Sequence, residues 1–380
     1  MDSIVVVKLG GSVLESPQGF ADSSLNLSEK FVENGVLPII VVSAMKGVTD
    51  LLLEAARGSY SALDHVESTY MGLARELGST VLERTIMAEL RAARRLLEAS
   101  KAPIKPETID AVVSLGERLS RIAMEHYLVY AGLRGVGFDA RSLIVTNRMH
   151  GDALIIEGIT RNRVQVLLKA ASKGLVPVIE GFVGSTPEGA ATTLGRGGSD
   201  YTATVLAKLL RLKEVYLVSD VDGVYSIDPS IDREAVLVPR LSLREAMAAS
   251  AFRVKGFNRK TFLPLQGTSI IVNVGSWNKF GTRISGLHGH GKGKGLKILA
   301  HKSTRKGARI GVIGCTAKAS DVKRILEITD SEGFSVDQVV YSSGSPLTSI
   351  LVSARHYSKS LEPLLRRIHR EVLLRGSSRG

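Results

Sequence analysis

Three times in this sequence an apolar, β-branched run stops at a loop of small residues and a helical pattern takes over. Ile4-Val5-Val6-Val7 runs into Lys8-Leu9-Gly10-Gly11-Ser12, and a helix is expected over about 23–33. Leu37 to Val42 runs into Ser43-Ala44-Met45-Lys46-Gly47-Val48-Thr49-Asp50, with a helix over 51–57. Val176-Pro177-Val178-Ile179 leads into a loop of Gly, Ser and Thr, then a helix with Val205, Leu206, Leu209 and Leu210 on one face. Strands that alternate with helices in this way require an α/β domain with a parallel sheet. In such a sheet the ligand crevice lies at the carboxyl ends of the strands. Further strands are expected at 136–140, 214–219 and 269–274.

The third loop is the most pointed of these. Gly195-Arg196-Gly197-Gly198 places three glycines in four positions, which exposes backbone N–H groups and lets a ligand approach. Ser199 or Asp200 is the expected N-cap of the helix behind it. A helix N-terminus favours anions, and Arg196 adds a fork suited to carboxylate or phosphate. The loop reads as a seat for an anionic small molecule with a carboxylate beside it. Lys8, before its own glycine pair, stands at the crevice end of the first strand. Taken singly, these features also describe a capped helix after a tight turn and a solvated lysine. No GxxxxGK[ST] phosphate loop occurs anywhere.

Between these units, 60–100 has the pattern of a helical hairpin, punctuated by Pro103 and Pro106. A helix is expected over 108–131. Gly116 inside it costs about 1 kcal/mol against Ala, which implies a packing or ligand reason for its presence. Its neighbour Glu117 faces either the crevice or solvent. Asp220-Val221-Asp222-Gly223 is a turn at a strand end, and 242–251 is helical.

Residues 288–297 form a Gly-rich basic linker. Beyond it, a strand at 308–315, a helix at 320–332, strands at 335–341 and 347–353 and a helix at 361–374 make a small α+β unit of order βαββα. The expected domains are therefore 1–287, a linker over 288–297, and 298–380.

Composition narrows the function. The chain has 380 residues, is 44% hydrophobic and carries a net charge of +13. The positive charge is spread along the sequence and aromatic residues are only 5%, which leaves few stacking platforms for nucleic acid. Anionic small-molecule substrates are the preferred reading, with no nucleic-acid partner. No apolar run has transmembrane length, and the apolar start is too short for a signal peptide. The one cysteine, Cys315, excludes an intrachain disulfide framework and a Cys-rich metal site, so a cytoplasmic setting is expected.

Five stretches, in order, resemble the aspartate kinases of the amino acid kinase superfamily. They are Lys8-Leu9-Gly10-Gly11-Ser12, the run from Val42 to Asp50, Ser114-Leu115-Gly116-Glu117, the stretch from Gly181 to Ala203 with its Thr192-to-Asp200 core, and Ser219 to Tyr225 with Asp228-Pro229. The resemblance covers about 1–285. The C-terminal unit is similar to a single ACT domain. The resemblance implies the amino acid kinase fold, an αβα sandwich around a mainly parallel eight-stranded sheet, followed by a small α+β ACT-like domain. It implies ATP-dependent phosphorylation of the L-aspartate side chain with Mg²⁺, a homodimer or higher homo-oligomer, and no direct metal ligand that can be named.

By the same resemblance, Lys8 stabilises the transferred phosphoryl group, Gly10, Gly11 and Ser12 donate backbone N–H groups, and Asp200 orients Lys8. Arg196 grips the α-carboxylate of aspartate and Glu117 takes its α-ammonium. Ser43, Thr49, Phe182, Thr193 and Ser199 match further substrate positions. Ser219, Asp220, Tyr225 and Lys255 match the nucleotide site. Val13 replaces a customary second hydroxyl, and Ser230 a customary arginine. The alternatives are a kinase for another acidic amino acid and a weakly catalytic amino-acid sensor.

Overall fold

The computed structural model describes residues 3–101, 103–254, 257–286, 295–305, 307–314, 317–342, 345–354 and 360–374. Lys255 and most of the expected linker lie outside them. The chain forms two compact units, Met1–Val221 with Leu263–Leu265, and Asp222–Phe262 with Gln266–Gly380.

The first unit contains β1 (Ser3–Leu9), β2 (Val36–Val42), β3 (Gly135–Phe138), β4 (Val176–Glu180), the short hairpin β5 (Val183–Ser185) and β6 (Ala191–Thr193), and β7 (Glu214–Val218). Five of these lie in the order β3-β4-β2-β1-β7, and every pairing between them is parallel. Ile39, Ile40, Val41 and Val42 are consecutive and all 0% exposed. Successive strand residues face opposite ways, so both faces of the sheet are covered. The helix Leu115–Tyr130 packs over β2, β3 and β4, and the helix Gly198–Leu209 over β1, β2 and β7.

The chain leaves β1 for β2 on one side and comes back to β7 on the other. That makes the carboxyl end of β1 a topological switch point, where open α/β sheets form their crevice. Lys8 is paired with Val41 of β2 and Leu217 of β7 at this end.

Some boundaries differ from those expected. The first helix is Pro17–Lys30, started by Ser16, whose hydroxyl accepts from the Gly19 amide at 3.2 Å. The helix expected over 108–131 is two, Pro106–Val113 and Leu115–Tyr130, broken at Ser114. The cap expected at Ser199 or Asp200 falls instead on Gly197, whose φ of 73° is left-handed. That conformation is cheap only for glycine, so backbone geometry fixes the start of the helix and leaves Ser199 and Asp200 inside its first turn.

The second unit contributes β8 (Arg240–Ser242), β9 (Ile271–Gly275) and β10 (Thr282–Ser285), in the order β9-β10-β8. Among the described residues the mainly parallel sheet counts eight strands. The same unit holds an antiparallel sheet of β11 (Leu296–Thr304), β12 (Gly307–Gly314), β13 (Phe334–Val340) and β14 (Leu347–Ala354), in the order β11-β12-β14-β13. Its core joins Leu299, Ile310, Val312, Ile350 and Val352 to Ile325 and Ile328 of the helix Ala319–Ser331 and Leu364, Leu365 and Ile368 of the helix Glu362–Ile368.

Strand β11 had no counterpart in the sequence reading. Its buried side chains are limited to Ile298 and Leu299, of which only Leu299 joins this core, and its second half is polar. The C-terminal turn is anchored by a buried relay. Ser226 Oγ lies 2.8 Å from His369 Nε2, His369 Nδ1 lies 2.9 Å from Asp232 Oδ2, and Arg370 closes on Asp232.

Candidate active site

At the carboxyl end of β1 the chain turns through Gly10 and Gly11. The Gly10 carbonyl accepts from Val13 N at 2.9 Å and Leu14 N at 3.1 Å. The Gly10 amide donates to Val218 O, so it is not free for a ligand. The amides of Gly11 and Ser12 have no acceptor among the described residues. Gly11 is required by close approach, because a Cβ there would lie 2.7 Å from Ala44 O. The loop after β2 is thereby pressed against the loop after β1, and the Lys46 amide donates to Gly11 O at 3.2 Å. Ser43 sits between them with its amide on Leu9 O, and Thr49 lies in the first turn of the helix Val48–Ala56.

Gly116 answers to the same logic. A Cβ on it would lie 2.7 Å from the Ala44 side chain. Its carbonyl and Ser120 Oγ hold the buried Tyr70 hydroxyl at 2.7 and 2.8 Å, and that hydroxyl accepts from Met45 N. The arrangement seats Glu117 beneath the 43–48 loop, only 3% exposed. Burial pushes its carboxyl up to about 8, against a smaller opposing effect of the Ala44 backbone. Its Oε2 is buried and has no hydrogen-bond partner among the described residues. Such an atom calls for an explanation, and an absent donor is the simplest one.

Lys8 Nζ lies 2.7 Å from Asp200 Oδ1, in close ionic contact rather than along an aligned hydrogen bond. Both side chains are about one-sixth exposed, at 15% and 17%. The helix Gly198–Leu209 brings Asp200 to this point. It is held near β4 by Gly181, where a Cβ would come within 2.5 Å of the Ser199 Cβ. The next residue, Phe182, has φ of 66°, which is an outlier for a bulky side chain. It is kept there by its amide on Thr202 Oγ1 at 3.2 Å and its carbonyl under Leu194 N at 2.9 Å. Strain of this kind costs about 1 to 3 kcal/mol and persists where the surroundings enforce it.

Thr193 is 3% exposed and gives its hydroxyl proton to Asp110 Oδ1 at 2.6 Å. It can meet a ligand only as an acceptor. Arg196 is exposed and pairs with no carboxylate among the described residues.

The structure thus brings Lys8, Gly11, Ser12, Ser43, Glu117, Phe182, Ser199 and Asp200 to the ends of β1, β2 and β4. Ser219 and Asp220 follow β7, joined at 2.8 Å. Tyr225 belongs to the second unit, and Lys255 lies outside the described residues. At the two departures, Val13 closes the glycine turn through its amide, and Ser230 caps Asp228 through its own amide and hydroxyl at 2.9 and 2.7 Å. Sequence reasoning missed Asp110, His150 and Tyr70. Each reads locally as an ordinary member of an amphipathic helix or a loop.

Taken together, the first unit offers a cation backed by a carboxylate, free amides at a glycine turn, an exposed guanidinium and a buried carboxyl with one unpartnered oxygen. That set suits charge neutralisation on a transferred anionic group and capture of a zwitterion.

Comparison with known proteins bears on the same residues. Residues 3–274 match the Amino acid kinase family. The chain is 32% identical over 284 residues to the lysine-sensitive aspartokinase 3 of Escherichia coli (strain K12), covering 73% of this chain and 62% of that protein. It is 30% identical over 392 residues to the chloroplastic aspartokinase 1 of Arabidopsis thaliana, covering 94% of this chain and 64% of that one. The chain thus spans about three-fifths of the length of these curated relatives. The crystal structure of E. coli aspartokinase III in complex with aspartate and ADP superposes with a TM-score of 0.73 at 25% identity, covering 97% of this chain and 83% of that one. The chain belongs to the amino acid kinase family.

Proposed function

We propose that this chain transfers the γ-phosphoryl group of ATP to the side-chain carboxylate of L-aspartate, giving 4-phospho-L-aspartate and ADP. The observation that carries the reading is the occurrence of an exposed guanidinium without a carboxylate partner, Arg196, and a buried carboxyl with an unpartnered oxygen, Glu117 Oε2, in the unit that also holds Lys8 against Asp200. A free α-amino acid carries a carboxylate for Arg196 and an ammonium for Glu117. The relatives support it, since they are aspartokinases and one was solved with aspartate and ADP.

The substrate carboxylate is itself the nucleophile, so no protein base has to create one. Catalysis is positioning plus charge neutralisation. Lys8 meets the charge that develops on the moving phosphoryl oxygens, and the Gly11 and Ser12 amides add fixed dipoles. Asp200 holds the Lys8 ammonium in place. Ser219 and Asp220 are assigned to the nucleotide. No group of three or more His, Cys, Asp or Glu side chains suited to a metal occurs among the described residues. Mg²⁺ fits this chain as a companion of the ATP phosphates, supplying charge neutralisation there.

Arg196→Ala removes a bidentate charge-assisted contact, worth about 3 kcal/mol. Steady-state kinetics is expected to show the KM for aspartate raised roughly a hundredfold and the KM for MgATP unchanged within about twofold. Equal loss for both substrates would remove Arg196 from the aspartate site.

The catalytic domain is proposed to extend over 1–287 and an ACT-like module over 298–380, with association through β13. This strand is a sheet edge, and Val336, Val339 and Val340 on it, with Tyr341 directly after it, are 36–47% exposed. Light scattering is expected to give a dimer mass for the chain and a monomer mass for Val339→Lys. A monomeric parent chain would end this assignment. A cytoplasmic setting belongs to the same proposal and rests on one cysteine in 380 residues. No helix among the described residues is long and apolar enough to cross a membrane.

A further inference from the structure

Asp110 is a buried carboxylate, 3% exposed, that the mechanism above does not use. It lies in the helix Pro106–Val113, immediately before the helix that carries Glu117. No lysine or arginine pairs with it among the described residues; its three partners come from the 149–152 turn and from β6, both distant in sequence. Thr193 Oγ1 donates to Oδ1 at 2.6 Å, Gly151 N donates to Oδ2 at 3.1 Å, and His150 Nδ1 lies 2.8 Å from Oδ2.

One of these partners, Thr193, lies on the arm that bears Arg196, and the other two lie on a turn tied to it. Thr193 ends β6, three positions before the guanidinium. The 149–152 turn is tied to the same strand by Ala153 N donating to Thr193 O at 2.9 Å. It also presses on the glycine loop, because a Cβ on Gly195 would fall 2.3 Å from Asp152 Oδ1. One carboxylate therefore fixes the hydroxyl rotor of Thr193, the turn behind Gly195, and the spacing of both from the helix start at Glu117.

We infer that Asp110 is a positioning residue for amino-acid binding: it sets Thr193 as an acceptor-only group and holds the Arg196 arm in register with Glu117. This inference rests on the aspartate reading above. A carboxylate that accepts the Thr193 proton leaves only lone pairs on Thr193 Oγ1 for a ligand. An ammonium donor suits that atom, whereas a group that offers only acceptors leaves it unsatisfied. Asp110 touches no substrate itself.

The test is Asp110→Asn in the full chain. The amide keeps shape and size but turns an N–H₂ toward one set of donors. Losing a charge-assisted hydrogen bond predicts a KM for aspartate raised about 10- to 100-fold. The KM for MgATP is expected to stay within about twofold, since the nucleotide residues are untouched. A purely structural role would lower the melting temperature without separating the two KM values.

Thr193→Val and the double variant complete a cycle. Acting through Thr193, Asp110→Asn adds less than twofold on top of Thr193→Val, and Thr193→Ser restores the parent KM. If Asp110→Asn does not fold, Thr193→Val against Thr193→Ser reads the other end of the same bond. An unchanged aspartate KM in Thr193→Val, or equal rises for both substrates in Asp110→Asn, overturns the inference and leaves the aspartate assignment standing. A parent chain that does not turn over aspartate overturns both.

Discussion

Lys8→Ala is expected to lower kcat about a thousandfold or more while leaving the KM for aspartate within a few-fold of the parent value. The reason is where the ammonium sits. It stands at the switch point of the sheet, 2.7 Å from Asp200 and next to the glycine turn. A group that meets charge arising only in the transition state contributes to kcat and little to ground-state binding. Asp200→Asn should fall short of this loss, since the ammonium stays and only its anchor weakens. Because the two act as a unit, the double variant should lose about as much as Lys8→Ala alone. Stopped-flow or coupled ADP release reads all three. A kcat for Lys8→Ala within tenfold of the parent would show that the ammonium does not face the reacting phosphoryl group.

Glu117→Gln carries the second large effect, and it has opposite signs for stability and activity. Burial holds the Glu117 carboxyl up to about 8, against 4.5 for an ordinary glutamate. The folded chain therefore binds a proton here that the unfolded chain has released. This contribution to stability is full below about 4.5 and is lost as pH rises through about 8. Each pKa unit is worth about 1.4 kcal/mol, so the loss amounts to a few kcal/mol at pH 9.

Glutamine carries no such cost. Glu117→Gln should melt at the parent temperature near pH 4.5 and several degrees above it at pH 9. For binding, the α-ammonium needs the ionised form. The KM for aspartate in the parent chain should fall about tenfold per pH unit up to about 8 and level off above it. In Glu117→Gln that pH dependence disappears and kcat/KM drops about a hundredfold. A variant that gains stability at alkaline pH and loses substrate is the signature of a strained binding group. A pH-independent KM in the parent would place the ammonium elsewhere.

How much of this was legible differs by element. β1, β2, β4 and β7 announce themselves because buried central strands are continuous apolar runs, and their order with helices dictates parallel pairing. Gly116 was readable as an oddity inside a helical pattern. Its cause, contact with Ala44 across the fold, was not, since that partner is seventy-two positions away. Glu117 alone reads more readily as a surface carboxylate than as a buried one, and only the packing around Ala44 and Tyr70 decides it. The cap at Gly197 escaped notice because a left-handed backbone leaves no side-chain mark, whereas Ser199 and Asp200 resemble caps. β11 has too few inward apolar residues to show a period of two. Asp110 sits in Pro-Glu-Thr-Ile-Asp, where a carboxylate on an amphipathic helix reads as solvated. Its three partners all come from beyond residue 149, and such long-range polar satisfaction has no local signature.

The most direct test of the central claim is ADP release from MgATP with L-aspartate, L-glutamate or N-acetyl-L-glutamate, each with hydroxylamine present to trap an acyl phosphate as the hydroxamate. The account predicts ADP and hydroxamate in equal amounts with L-aspartate and neither with the other two. Turnover with N-acetyl-L-glutamate, which has no ammonium for Glu117, or ADP release without hydroxamate, would contradict it.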